Sequence, residues 1–149
     1  MKQVLLDTDV LLDCCLNRQP FAGDSIQLLS LCELGEIQGH TTPLILSNFY
    51  YLLRKNNTHQ QVISILEKLT AILHTLPVTN DSVIQALRSS FTDFEDALQH
   101  HACIENGDIQ CIVTRNKKDY QHSQIAVMTP TEFLAHLSNN PANHPVTST

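Results

Sequence analysis

The stretch Val4-Leu5-Leu6-Asp7-Thr8-Asp9-Val10-Leu11-Leu12-Asp13 decides the fold. Its apolar start is short and stops at an acid, the pattern of a strand buried on both faces. The period then changes. Leu12 and Leu16 recur at helical spacing, Thr8 or Asp9 is placed to cap that helix, and Pro20 closes it. Asp7 is left at the strand end, where the reading requires no cap of it.

The same alternation continues outward. A second helix is expected from Asp24 or Ser25 through Ile26 and Leu29, with Gly35 as its stop. Ile37 to Thr41 reads as a strand. Pro43 suits a helix's first turn, and Leu46, Phe49, Tyr50 and Leu53 follow at helical spacing as core. Thr58 caps a helix striped by Val62, Ile65, Leu66 and Leu69. Leu73 to Val78 is a third strand candidate, and Asn80 or Asp81 caps the helix after it. From Asp93 a helix runs to about Asn106, with Gly107 behind it. Cys111 to Val113 is a short buried strand and Ile125 to Val127 the last one. Thr129, Pro130 and Glu132 form a capping box ahead of Phe133, Leu134 and Leu137. Apolar strands alternating with helices imply a parallel sheet covered on both sides. Residues 1–138 are expected to form one domain, and residues 139–149, with two Pro and three Asn, a flexible tail.

Composition limits the function classes. At 149 residues with 42% hydrophobic and 16% charged side chains, the chain suits one folded domain and excludes wholesale disorder. No run of 18 apolar residues appears, so no membrane span is expected, and the apolar start is too short for a signal peptide. Five Cys, none in a CxxC pair, suit buried free thiols and a cytoplasmic location. The net charge of −6 means that any contact with nucleic acid needs a local basic patch, metal ions or a basic partner.

Ligands of such sheets bind beyond the carboxyl ends of the strands. Asp7 stands there after the first strand, and Thr114-Arg115-Asn116 and Asp119 after the fourth. Asp93 and Asp96, three apart, face the same way on the first turn of the late helix. As a residue before a helix, Asp93 equally reads as an N-cap. For Asp9 and Asp13 a plain helical role is expected. Carboxylates that converge repel one another unless a cation sits among them. Hard cations such as Mg²⁺ take oxygen ligands, and a site of this kind performs metal-assisted phosphoryl transfer. Arg115, Lys117 and Lys118 flank Asp119 and could contact RNA phosphates, with Arg115 favoured. His100-His101-Ala102-Cys103 lacks a second ligand pair at zinc spacing. No phosphate-binding glycine loop or Gly-x-Ser-x-Gly elbow is present. A phosphate-accepting receiver domain would need a Lys near the last strand, and none follows Lys118.

At these residues the chain resembles PIN-domain proteins, in particular the VapC-like toxin ribonucleases. The matching stretches are Val4 to Asp13, Thr42-Pro43-Leu44-Ile45-Leu46-Ser47-Asn48-Phe49-Tyr50-Tyr51, Asp93-Phe94-Glu95-Asp96-Ala97-Leu98-Gln99, and Ile112-Val113-Thr114-Arg115-Asn116-Lys117-Lys118-Asp119-Tyr120, followed by Val127 to Leu134. The resemblance spans residues 2 to about 138. It implies a three-layer α/β/α sandwich with a central, mostly parallel sheet of about five strands. It further implies acids that bind Mg²⁺ or Mn²⁺ and cleave RNA, a cognate antitoxin protein, and a homodimer. Carried over, Asp7, Asp96 and Asp119 are the catalytic and metal-binding acids, with Thr114 orienting a metal-bound water. Asp93, Asn48 and Asn116 complete the expected metal set.

The chain departs from the family pattern twice. Asn48 stands where Glu is usual, and Asn116 where many members carry Asp. An amide oxygen can coordinate but brings no charge. A second reading follows from these substitutions: a PIN-fold module that binds RNA or a protein with weakened or lost catalysis.

Overall fold

The computed structural model describes residues 2–140, so the expected tail from residue 141 onward lies outside the described residues. The elements run β1 (Lys2–Leu6), α1 (Thr8–Cys15), α2 (Ala22–Glu33), β2 (Ile37–Thr41), α3 (Pro43–Arg54), α4 (His59–Ile72), β3 (His74–Thr75), α5 (Asn80–Leu87), α6 (Phe94–Asn106), β4 (Cys111–Val113), a 3₁₀ turn (Lys117–Tyr120), β5 (Ala126–Met128) and α7 (Pro130–Asn139). The five strands form one parallel sheet in the order β3-β2-β1-β4-β5.

That order grows outward from β1 in both directions. Right-handed crossovers therefore place helices on both faces. Helices α1 to α4 and α7 pack among themselves, as do α5 and α6. The chain changes direction between β1 and β4, and the cleft of such a sheet opens at that switch point. Val4 pairs with Cys111 and Leu6 with Val113, so Asp7 and Thr114 emerge side by side.

Strand residues Val4, Leu5, Leu6, Ile112 and Val113 are fully buried, as expected of strands covered on both faces. Gly39 in β2 is required by packing: a Cβ there would lie 2.6 Å from Cys32 Sγ and 2.7 Å from Leu73 Cδ2. Thr42, Thr58 and Thr129 cap α3, α4 and α7, the last two as full capping boxes. All five cysteines are free, and Cys15 is exposed rather than packed.

Several boundaries differ from the sequence reading. Helix α2 starts at Ala22, because Ala22 N bonds to Arg18 O and begins the turn without a side-chain cap. Strand β3 shrinks to two residues; Pro77 offers no donor to extend the ladder. Thr79, not Asn80 or Asp81, caps α5 by accepting from Ser82 N. Strand β5 begins one residue late, and α7 runs to Asn139. No helix among the described residues is long and apolar enough to cross a membrane.

Candidate active site

A cleft of about 650 Å³ opens beyond the carboxyl ends of β1 and β4. Asp7, Asp9, Asp93, Glu95, Asp96 and Asp119 line it, together with Asn48 and Asn116, against two cations, Arg18 and Arg115. The expected acids and amides thus share one cavity, although they come from four separate parts of the chain.

Asp7 is the most deeply held. Contrary to the sequence reading, it is the N-cap of α1, its Oδ1 accepting from Thr8 N at 2.8 Å. Its Oδ2 accepts from Thr114 Oγ1 at 3.0 Å and from Tyr120 Oη at 3.4 Å, and Gln99 donates to it as well. Burial and the charge of Asp9 nevertheless push its pKa up to about 6. Asp96 is pushed up to about 7, by burial first and then by Asp7, Asp93 and Asp119. The Tyr120 hydroxyl also reaches Asp96, so one phenol bridges the two perturbed carboxyls. Asp93 both caps α6, accepting from Asp96 N at 3.0 Å, and lines the cleft.

Thr114 is fully buried and lies 3.0 Å from Asp7 but 3.4 Å from Asp9, so its single proton serves Asp7. It positions that carboxylate from behind and does not line the cleft. The plain helical role expected of Asp9 and Asp13 is overturned. Asp9 Oδ2 accepts from Arg115 N at 3.0 Å, and burial raises its pKa. Asp13 is fully buried, because Arg115 grips both its oxygens and Arg18 Nε lies 2.9 Å from Oδ1, close enough for an ion pair though off hydrogen-bond geometry. Arg115 is held by this fork, and Lys117 pairs with Glu132 at 3.1 Å. Two of the three basic residues expected to contact RNA, Arg115 and Lys117, therefore have protein partners already.

Sequence reasoning missed three residues of the cleft wall and a fourth, Tyr120, buried behind it. Glu95 accepts from Asn48 Nδ2 at 2.6 Å, bringing a carboxylate to an amide where none was assigned. Gln99 is 2% exposed and its Oε1 has no partner. Tyr120 sat inside a quoted motif, but nothing local signals its reach to Asp7. Tyr51 is 70% exposed on the cleft wall.

Among the described residues no three His, Cys, Asp or Glu side chains already enclose one point at ligand distance. The donors are nevertheless all oxygen, and Mg²⁺ commonly takes one or two carboxylates and keeps several waters. The raised pKa values of Asp7 and Asp96 are those of acids that a cation would relieve. The donor set fits a hard divalent ion.

A PIN domain family model matches residues 3–118. The chain belongs to the PIN domain family. Its fold is shared with solved PIN structures of low sequence identity. VapBC2 from Rickettsia felis, bound to a DNA fragment from their promoter, is 15% identical over 85% of this chain and 96% of that one, with a TM-score of 0.63. FitAcB from Neisseria gonorrhoeae is 12% identical over 86% and 98%, with a TM-score of 0.62. VapC20 from Mycobacterium tuberculosis, described as a sarcin-ricin-loop-cleaving toxin, is 19% identical over 73% and 86%, with a TM-score of 0.58. No curated protein sequence matches this PIN domain significantly.

Proposed function

We propose that this PIN domain is a divalent-metal-dependent endoribonuclease, the toxin of a VapC-like toxin–antitoxin pair. The observation that carries the reading is the pair Asp7 and Asp96, held together through Tyr120 in an open cleft with both pKa values raised. Asp7, Asp96 and Asp119 would hold Mg²⁺ or Mn²⁺, with Asp93, Asn48 and Asn116 at the margin of the same set. Bound there, the ion would activate a water and stabilise charge on the scissile phosphate. Thr114 and Gln99 hold Asp7 in place, and the Tyr120 hydroxyl lies within reach of both Asp7 and Asp96. The net charge of −6 and the acidic cleft suit a basic segment of a cognate antitoxin, in keeping with toxin and toxin-complex structures among the fold neighbours. A homodimer and a cytoplasmic setting belong to the same reading.

The second reading, an RNA- or protein-binding module without cleavage, is favoured by one observation: no closed three-acid cage exists among the described residues. One experiment separates them. Cleavage of a structured RNA is followed across a Mn²⁺ series for wild type and Asp7→Asn. The nuclease reading expects cleavage that a chelator abolishes and that Asp7→Asn lowers at least a hundredfold. RNA left intact by wild type at every Mn²⁺ concentration would refute it.

A further inference from the structure

A second cavity, of about 360 Å³, lies where the C-terminal end of α5 meets α6 and the loop before β5. Its walls include Arg88, Ser90, Phe91, His100, His101 and His122. Phe91 sits at the centre, its ring centroid 4.8 Å from that of His100, 6.5 Å from His101 and 6.4 Å from His122. Three imidazoles therefore pack around one phenyl ring on the wall of this polar space, and the acidic cleft makes no use of it.

Two ring nitrogens there are buried and unpaired. His100 is 1% exposed, and its Nε2 accepts from Gln124 N at 3.0 Å. The ring proton is thereby placed on Nδ1, which has no partner. His101 Nε2 is likewise buried without a partner. Folded proteins rarely leave such groups unmet, so a polar occupant is called for. Burial pushes the pKa of His100 down to about 4 and lowers that of His101, so both imidazoles are neutral at pH 7. The formal cation of the lining is Arg88, which forms no ion pair among the described residues.

These features select among occupants. A metal ion finds no three converging ligands. A bare anion finds one cation, beside the C-terminal end of α5, whose dipole opposes it. A nucleotide matches on both counts. Its base stacks on the rings and offers an acceptor to His100 Nδ1 and a donor or acceptor edge to His101 Nε2, and its phosphate takes the guanidinium. The placement suits a polynucleotide. The Phe91 ring lies 6.1 Å from that of Tyr120, which reaches Asp7, and His100 follows Asp96 by one turn of α6, about 6 Å.

We propose that this cavity binds one nucleotide of the RNA substrate next to the scissile bond, its base among Phe91, His101 and His122 and its phosphate on Arg88. The proposal rests on the ribonuclease reading for the identity of the chain it binds.

The test uses the full chain in chelator, so that no cleavage intervenes, and follows the histidine ring protons by NMR. The probes are a single-stranded RNA oligonucleotide, the four nucleoside monophosphates and inorganic phosphate. The oligonucleotide is expected to shift the His101 and His122 resonances. Monophosphates should do so more weakly, and inorganic phosphate not at all. Arg88→Ala and His122→Ala, both at exposed positions, should each weaken oligonucleotide binding about tenfold. With Mn²⁺ the same variants should raise KM for RNA about tenfold at unchanged kcat. Unmoved rings in the presence of oligonucleotide would overturn the inference, as would shifts that phosphate alone reproduces in full. If the rings shift but no Mn²⁺-dependent cleavage occurs, the cavity stands as a nucleotide site and only the nuclease reading falls. Cleavage with unmoved rings has the reverse meaning.

Discussion

Arg115 closes its guanidinium fork on Asp13, with Nε 2.6 Å from Oδ2 and Nη2 3.1 Å from Oδ1, while its flat face lies 3.9 Å from the Phe21 ring centroid. A fully buried carboxylate needs such a partner, since an uncompensated charge there is costly. The fork also ties the loop after β4 to α1 and so holds Asn116 at the cleft edge and Thr114 behind Asp7. Arg115→Ala should destabilise the protein by about 3 kcal/mol in urea unfolding. Arg115→Lys should recover little of this, because an ammonium neither bridges both oxygens nor stacks on Phe21 in the same way. A loss below about 0.5 kcal/mol for Arg115→Ala would mean that Arg18 alone satisfies Asp13.

Asp96 makes the metal-free protein sensitive to pH. Its pKa is about 7 in the folded chain against 3.8 as the reference. The folded state therefore keeps a proton that the unfolded state loses. The stability this brings is complete below about pH 4 and is lost as pH rises towards 7. Asp96→Asn removes that loss while keeping the Asp93 cap on the backbone N–H of residue 96. In chelator the variant should gain on wild type by about 1 kcal/mol between pH 5 and pH 7.5, after allowance for solvent screening. Mn²⁺ should reverse the order. Thermal melts at both pH values check this; parallel pH curves would show that Asp96 carries no unrelieved repulsion.

Asn48 and Glu95 meet across the cleft by a 2.6 Å hydrogen bond. Asn48→Glu would replace the donor with a second carboxylate. Without metal, stability should fall by up to about 1 kcal/mol, as Glu95 is exposed and Asn48 only partly buried. Mn²⁺ should bind more tightly, because hard cations prefer carboxylate to amide oxygen. Calorimetric titration of both proteins decides it, and equal affinities would place residue 48 outside the metal set.

Tyr120→Phe removes the one hydroxyl that touches both perturbed acids. The expected loss is about 1 kcal/mol of stability. Mn²⁺ affinity should weaken too, since the carboxyls lose their common tether. Unchanged Mn²⁺ affinity in calorimetry would reduce Tyr120 to a packing residue.

Local signals carried most of the fold. The switch from a short apolar run to helical spacing at Asp7, and again after Thr41, marks strand ends that no distant contact is needed to define. The caps at Thr58, Asp93 and Thr129 act within three residues, so the chain announces them by itself. The general rule for parallel sheets was enough to send Asp7 and Asp119 to the same end.

Partnership was decided elsewhere. Asp13 and Arg115 are 102 residues apart, Asn48 and Glu95 47, and Asp7 and Tyr120 113. Each pair exists because β1 and β4 are neighbours in the sheet and α6 packs beside their ends, a relation no local period encodes. The same packing shields Asp7 and Asp96 from water, and that desolvation raises their pKa values. The sequence determined which acids stand at element ends. Only the tertiary structure decided which of them are buried and which side chain holds each one.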